Sequence, residues 1–241
     1  ASRPRWLTIL GEKLLFTASD GLHGEELWSF DGTMATIEAD VNPSIPNYVG
    51  SYPEYLTVYD GKLFLAARGE AGGTELWCWD GATAQMVADI NTASSSQSSF
   101  PRYLTVFGNK LYFAADNGIT GQELWSFDGT QVKLEADINT EAYSCCVADW
   151  QKNHYKGGGS YPEFLTVFGS KLYFAANDGT HGVELWSWDG TSAKLEADIA
   201  SGNYHGLPRW NSWNGRHMTV FGNKLFFQAS DRSGNAGWEL W

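Results

Sequence analysis

Two stretches of this 241-residue chain concentrate side chains that can hold a polar ligand. Residues 141 to 160 carry Tyr143, Cys145, Cys146, Asp149, Trp150, His154 and Tyr155 ahead of a Gly157-Gly158-Gly159 run. Residues 201 to 217 carry Asn203, Tyr204, His205, Trp210, Asn211, Trp213, Asn214, Arg216 and His217. Aromatic faces beside Asn, Asp, His and Arg supply a stacking platform and orienting hydrogen bonds, the combination that a sugar or a flat polar ligand needs. The same rings could instead pack the loops onto the protein body. The candidate residues for binding a ligand or partner are Trp150, His154, Tyr155, Tyr204, His205, Trp210 and Trp213.

Other reactive types carry less. His23 and His181 recur at equivalent loop positions, but their repeats are too far apart for a shared metal and no neighbouring repeat brings a third ligand. The Asp-Gly turns near Glu resemble fragments of calcium loops without the full spacing of oxygen ligands, and turn chemistry accounts for them. No metal or cofactor is expected. No Gly-x-Ser-x-Gly, phosphate loop or dinucleotide fingerprint occurs, and no pair of carboxylates departs from the repeat pattern, so the chain is not expected to be an enzyme. The three cysteines, Cys78, Cys145 and Cys146, cannot all pair within one chain; a bridge between the adjacent two would be a strained ring, so free thiols are expected.

The frame that must position these residues is a repeat. Glu-Leu-Trp recurs at residues 26 to 28, 75 to 77, 123 to 125, 184 to 186 and 239 to 241, a spacing near that of arrays built from one supersecondary unit per repeat. Each repeat opens with Pro, a charged residue and an aromatic, as in Pro53-Glu54-Tyr55-Leu56-Thr57, which predicts a first strand. A Gly-containing turn such as Gly108-Asn109 supplies the positive φ of a tight hairpin. The run Lys110-Leu111-Tyr112-Phe113-Ala114-Ala115 predicts a second strand covered on both faces. A Gly-rich connection leads to Glu-Leu-Trp as the third strand, and the Asp-Gly after it is the strongest short hairpin signal. Fourth strands are predicted at residues 36 to 41, 85 to 90, 133 to 138 and 194 to 199, where apolar and charged residues alternate as on an outer strand with one wet face.

Four-stranded antiparallel units repeated five times predict an all-β, five-bladed β-propeller. The motif Glu-Leu-Trp-x-x-Asp-Gly-Thr, intact at residues 26 to 33, 123 to 130 and 184 to 191, resembles the ELWxxDGT-repeat proteins, a family taken to be propeller-like. The resemblance covers nearly the whole chain and implies a fold rather than a chemistry. It departs at Ala82, where the motif has Thr, and in the fifth repeat, which stops before its Asp-Gly. The expected organisation is one domain over residues 1 to 241, with repeats near 4 to 50, 51 to 99, 100 to 158, 159 to 206 and 207 to 241. Only four fourth strands can be counted, so either one blade has three strands or residues beyond Trp241 or before Ala1 are missing from this sequence, and the second is the expectation.

Composition narrows the partners. A net charge of −12 argues against nucleic acid, which is bound through clustered Lys and Arg. No apolar run approaches the roughly 20 residues of a membrane helix. The first residue is Ala rather than Met, which fits a mature chain of the extracellular space or an organelle lumen after removal of a targeting peptide. Tight hairpins share one face of such a propeller, while the inter-repeat links and all the length variation share the other, where function is expected. The expected role is a non-catalytic binding module with carbohydrate as its ligand. The alternative is an accessory subunit that docks one propeller face onto a larger protein complex, soluble or membrane-bound. Two structural expectations accompany it: the motif tryptophans Trp28, Trp77, Trp125, Trp186 and Trp241 occupy equivalent core positions between blades, and Arg5, Glu54, Arg102, Glu163 and Arg209 alternate in sign around the channel mouth, attracting their neighbours.

Overall fold

The computed structural model describes residues 2–42, 50–70, 73–92, 97–140, 158–208, 218–231 and 237–241. Strands follow the repeat without exception through the first four units. The first sheet holds β1 (Arg5–Leu10), β2 (Lys13–Ser19), β3 (Glu25–Phe30) and β4 (Ala35–Ala39); the second β5 (Glu54–Tyr59), β6 (Lys62–Arg68), β7 (Thr74–Trp79) and β8 (Ala84–Ala88). The third holds β9 (Arg102–Phe107), β10 (Lys110–Asp116), β11 (Gln122–Phe127) and β12 (Val132–Ala136), and the fourth β13 (Glu163–Phe168), β14 (Lys171–Asn177), β15 (Val183–Trp188) and β16 (Ala193–Ala197). Every pairing is antiparallel between sequence neighbours. The fifth unit is shorter: β17 (Thr219–Phe221) pairs with β18 (Lys224–Phe226), and β19 (Gln228–Ala229) with β20 (Glu239–Leu240).

The second strands show why the sheets stack radially. Successive side chains of a strand point to opposite faces. In β6, Leu63, Leu65 and Ala67 join a core cluster with Leu15 and Leu27 of the preceding sheet, while Phe64 joins Leu104, Leu111 and Phe113 of the following one. The alternation repeats in β10, with Leu111, Phe113 and Ala115 facing back and Tyr112 facing forward. The second and third sheets are thus blades sandwiched between two others. The first strands are innermost: β1 lies against β5, β5 against β9 and β9 against β13. Thr8, Thr57 and Thr105 tie them together, each hydroxyl donating to a carbonyl of the next inner strand (Leu56, Leu104 and Leu165, at 3.0, 3.1 and 3.1 Å). This is a β-propeller arrangement.

A bulge near the start of each inner strand turns one aromatic side chain toward the next blade. The register slips between Arg5 and Thr8, Glu54 and Thr57, and Glu163 and Thr166, with the same slip in β9. The bulged residues Trp6, Tyr55, Tyr103 and Phe164 have φ of 57, 57, 56 and 59°, a left-handed conformation that non-glycine residues seldom adopt. Their rings form a continuous chain across four blades, with centroids 4.6, 5.4 and 5.2 Å apart. Ring contacts of this kind stabilise beyond the area they bury.

The motif divides its labour differently from the expectation. Leu27, Leu76 and Leu124 are fully buried, whereas Trp28, Trp77, Trp125 and Trp186 are half-buried. The pleat separates them: Leu76 joins the cluster shared with the following blade while Trp77 packs, partly buried, on the one shared with the preceding blade, and Leu124 and Trp125 divide in the same way. Trp241 is 43% exposed and does not share their position. The fourth strands also end two residues before the predicted boundary. Their last amides turn away, and those of Ile90, Ile138 and Ile199 bond a glutamate instead of extending the ladder.

Asp-Gly-Thr closes the third hairpin of each blade by a specific clasp. Asp128 Oδ1 accepts the Thr130 and Gln131 amides and the Thr130 hydroxyl, at 2.8, 2.9 and 2.6 Å, and Asp31 and Asp189 do the same. At Asp80 the residue two ahead is Ala82, so only its amide and the Thr83 amide make normal bonds. Replacing Ala82 by Thr should restore the missing bond and raise stability by about 0.5 kcal/mol, the low end for a hydrogen bond because the turn is wet. Urea denaturation of the variant beside the parent chain measures it; a lower midpoint would reject the clasp.

Candidate functional site

The candidate face is held by the glutamate of each motif. Glu26, Glu75, Glu123 and Glu184 are at most 4% exposed, rare burial for a carboxylate unless it is fully bonded. Each accepts donors from the chain as it enters the next blade. Ser51, Ser99 and Ser160 give their amide and hydroxyl to Glu26, Glu75 and Glu123, and Gly206 gives its amide to Glu184 at 2.7 Å. The serine carbonyls then receive the last amides of the second strands, from Arg68, Asp116 and Asn177, at 2.7, 2.8 and 2.9 Å. The inter-blade links are woven into both blades they join.

Against this constant weave, three positions per blade change chemistry. The residue after the proline is Arg5, Glu54, Arg102 or Glu163; the last of the second strand is Ser19, Arg68, Asp116 or Asn177; the first of the third is Glu25, Thr74, Gln122 or Val183. Where the third and fourth blades meet, these positions line a cavity of about 250 Å³ together with Phe100, Asn139, Gly159, Ser160 and Tyr161. Gln122, Asn139 and Glu163 are buried in its wall, and Phe100 stands half-exposed with the Arg102 guanidinium 5.9 Å from its ring centre. Gln122 donates to the Phe100 carbonyl and Asn139 to the Gly159 carbonyl, which orients both amides. Burial pushes the Asp116 carboxyl up, partly countered by the Gly118 amide. The cavity combines two carboxylates, a guanidinium, three amides and two aromatic rings.

The long 141 to 160 link, favoured from sequence, is rooted at this cavity. Asn139 precedes it and Gly159 lies at its far end, and the two are bonded to each other in the cavity wall at 3.2 Å. Of the residues singled out from sequence, Trp150, His154, Tyr155, Trp210 and Trp213 lie outside the described residues, as do Cys145 and Cys146. Tyr204 is 60% exposed. His205 acts as a structural support, its Nδ1 accepting the amide of Val183, a cavity-wall residue, at 2.9 Å. Sequence reasoning does not gather Arg102, Asp116, Gln122, Glu163 and Asn177 into one site. The signal that finds them is change at fixed repeat positions, and for Arg102 and Glu163 the alternation of charge marks it.

That alternation is only partly an inter-blade attraction. Arg5 pairs with Glu25 of its own blade, because the start of β3 lies within reach of its guanidinium. Around Tyr55 the charges do gather: its hydroxyl is pushed up to about 12, first by burial and then by the balance of Arg102 with Glu54 and Glu163. Arg209 lies outside the described residues. His23 and His181 each bond an aspartate of their own loop, Asp20 and Asp178, at 2.7 Å. Among the described residues no group of three His, Cys, Asp or Glu could hold a metal, Cys78 is a free thiol, and no helix is long and apolar enough to cross a membrane.

Comparisons with known proteins bear on the fold. No family model matches the chain, and no curated protein matches it. Solved structures do. The GH74 xyloglucanase from Xanthomonas campestris superposes over 100% of this chain and 38% of its own, at 13% identity and a TM-score of 0.50. A puromycin hydrolase mutant complexed with PGG matches 94% of this chain and 33% of its own, at 16% identity and a TM-score of 0.49. The β-propeller domain of the Trilobed protease from Pyrococcus furiosus, described as an open velcro topology, matches 80% and 53%, at 14% identity and a TM-score of 0.48. The chain therefore spans between a third and about half of these proteins. At such identities the likeness concerns the fold alone.

The buried glutamates make stability depend on pH. Burial pushes Glu26, Glu123 and Glu184 up to about 7 and raises Glu75, outweighing the bonds donated to them. Unfolded, each returns to about 4.3. The folded state holds these protons more tightly, so the stability they contribute is complete below the unfolded value and lost as pH rises through about 7. His23 and His181, raised chiefly by their aspartate bonds, act in the same sense. The turn carboxylates Asp20 and Asp31 are held at about 2 by donated hydrogen bonds, and their contribution is lost as pH falls toward that value. Thermal midpoints should be highest near roughly pH 4, fall as pH rises to about 7 and level off above it, with a shallower fall in Glu123→Gln. A midpoint that rises from pH 6 to 9 would contradict the assignment.

Proposed function

We propose that the chain is a non-catalytic binding module that takes a carbohydrate in the cavity between its third and fourth blades. The observation that carries this reading is the coincidence of that cavity with the root of the 141 to 160 link. Carboxylates and amides in the wall, Asp116, Glu163, Gln122 and Asn139, match the paired hydroxyls of a sugar ring, and Phe100 and Tyr161 offer faces for stacking. Tyr204 and the Trp150, His154, Tyr155, Trp210 and Trp213 positions belong to the two links that flank the fourth blade. His205 is best read as the prop behind Val183.

The fifth unit supports a five-bladed reading in which β17 to β20 belong to an incomplete last blade. Leu225 and Phe227 pack against the fourth blade's outward cluster as the earlier blades pack on one another. The repeated motif favours membership in the ELWxxDGT-repeat proteins, and a secreted or lumenal location accompanies the reading. No catalytic role is proposed for the cavity carboxylates.

A glycan array probed with the lone chain is the test. Arg102→Ala and Asp116→Asn should weaken the selected glycan by roughly tenfold or more, the scale of a lost charge-assisted hydrogen bond, with thermal midpoints close to the parent. Shortening residues 144 to 156, or replacing Trp210 and Trp213 by Ser, should do the same. Absence of any glycan binding, together with co-migration of the chain in a larger assembly, would favour docking as an accessory subunit instead.

A further inference from the structure

On the opposite end of the blades, beside the tight hairpins, a three-residue cluster repeats. In the first blade Lys13 reaches Glu38 at 2.6 Å and the Ser29 hydroxyl donates to the same carboxylate oxygen at 2.5 Å. The third blade repeats it with Lys110, Glu135 and Ser126 at 2.7 Å each, and the fourth with Lys171, Glu196 and Ser187 at 2.6 and 2.7 Å. In the fourth, Lys171 and then Ser187 hold the Glu196 carboxyl below its ordinary value. A carboxylate at this place is therefore favoured by its surroundings.

The second blade keeps the lysine and loses the acid. Lys62 stands where Lys13, Lys110 and Lys171 stand, but Val87 replaces the glutamate and Cys78 replaces the serine. Among the described residues Lys62 has no carboxylate partner. Where the glutamate would lie there is a cavity of about 190 Å³, lined by Lys62, Cys78, Gln85, Val87, Tyr59, Phe64, Met86 and Phe127. Its far wall is Phe127, whose counterparts Trp79 and Trp188 are larger indoles, and Tyr59 closes one side by donating to the Asn109 carbonyl at 2.7 Å. Asp60 at the turn forms part of the lip.

We infer that this cavity binds a small apolar monocarboxylate, whose acid group takes the place that Glu38, Glu135 and Glu196 occupy in the other blades. The carboxylate meets Lys62, with the Cys78 thiol and the Gln85 amide beside it, and the hydrocarbon lies against Phe64, Met86 and Phe127. The inference is independent of the carbohydrate reading, since the two cavities lie at opposite ends of the blades and share no residue.

Phenylacetate serves as the probe, titrated into the full chain and followed by calorimetry and by saturation-transfer NMR. Saturable binding is expected, with 2-phenylethanol and 2-phenylethylamine weaker by roughly tenfold or more, as the loss of a charge-assisted bond requires. Val87→Glu supplies the internal carboxylate, so it should abolish phenylacetate binding while raising the thermal midpoint. Lys62→Gln, a surface change that leaves the fold intact, should weaken the probe by a similar factor. No saturable binding to the parent chain, equal binding of the amine, or unchanged binding in either variant would overturn the inference.

Discussion

The rest of the structure depends on one arrangement: a carboxylate removed from water inside each of the first four blades and bonded by the chain as it leaves that blade and enters the next. Isolated, a buried charge of this kind would be severely destabilising. Here Glu123 receives the amides of Ile138, Asn139 and Ser160 and the Ser160 hydroxyl, so its oxygens are satisfied by backbone that must lie in one place. The acid fixes where the fourth strand stops, where the link re-enters and where the next inner strand begins. A leucine at the same position would bury area without specifying any of the three.

The parts of this fold legible in the sequence are those written in local chemistry. Asp31-Gly32 and its copies announce a hairpin because the aspartate itself caps the turn. Lys62-Leu63-Phe64-Leu65-Ala66-Ala67 announces a central strand because each face meets a different neighbour, and the structure divides its side chains in that way. What escapes a sequence reading depends on distant partners. Glu26 reads as a surface residue until Ser51 is brought to it from another blade. Trp125 reads as a core position until the pleat sends Leu124 into the cluster shared with the fourth blade and leaves Trp125 partly buried against the one shared with the second. The cavity draws on residues from Phe100 to Val183, and no window of sequence contains them together.

Internal repetition offers a control that a single chain seldom has. A position that is the same in four blades answers to the scaffold, as Leu27, Leu76, Leu124 and Leu185 do. A position that changes while its backbone stays in register is free of that demand and available for something else. Arg102 and Glu163 differ in sign at equivalent bulges, and Val87 departs from three glutamates in an otherwise matching strand. Both candidate cavities lie at such departures, one at each end of the blades. Loops carried by a rigid frame are where function commonly resides, and here the frame itself also varies.

The direction of the weave sets an order of assembly. The first four motif glutamates are bonded by serine or glycine groups that lie 22 to 37 residues further along the chain, and among the described residues none of their donors lies earlier. During synthesis from the N-terminus, a finished blade therefore still carries an acid without its full set of donors until the start of the following blade emerges. Maturation is handed forward, one blade being locked by the arrival of its successor. Glu239, the last copy, has no successor in this sequence and is exposed. Within such a ratchet, a chain cut in the middle of a link should loosen the blade already made as well as the one to come.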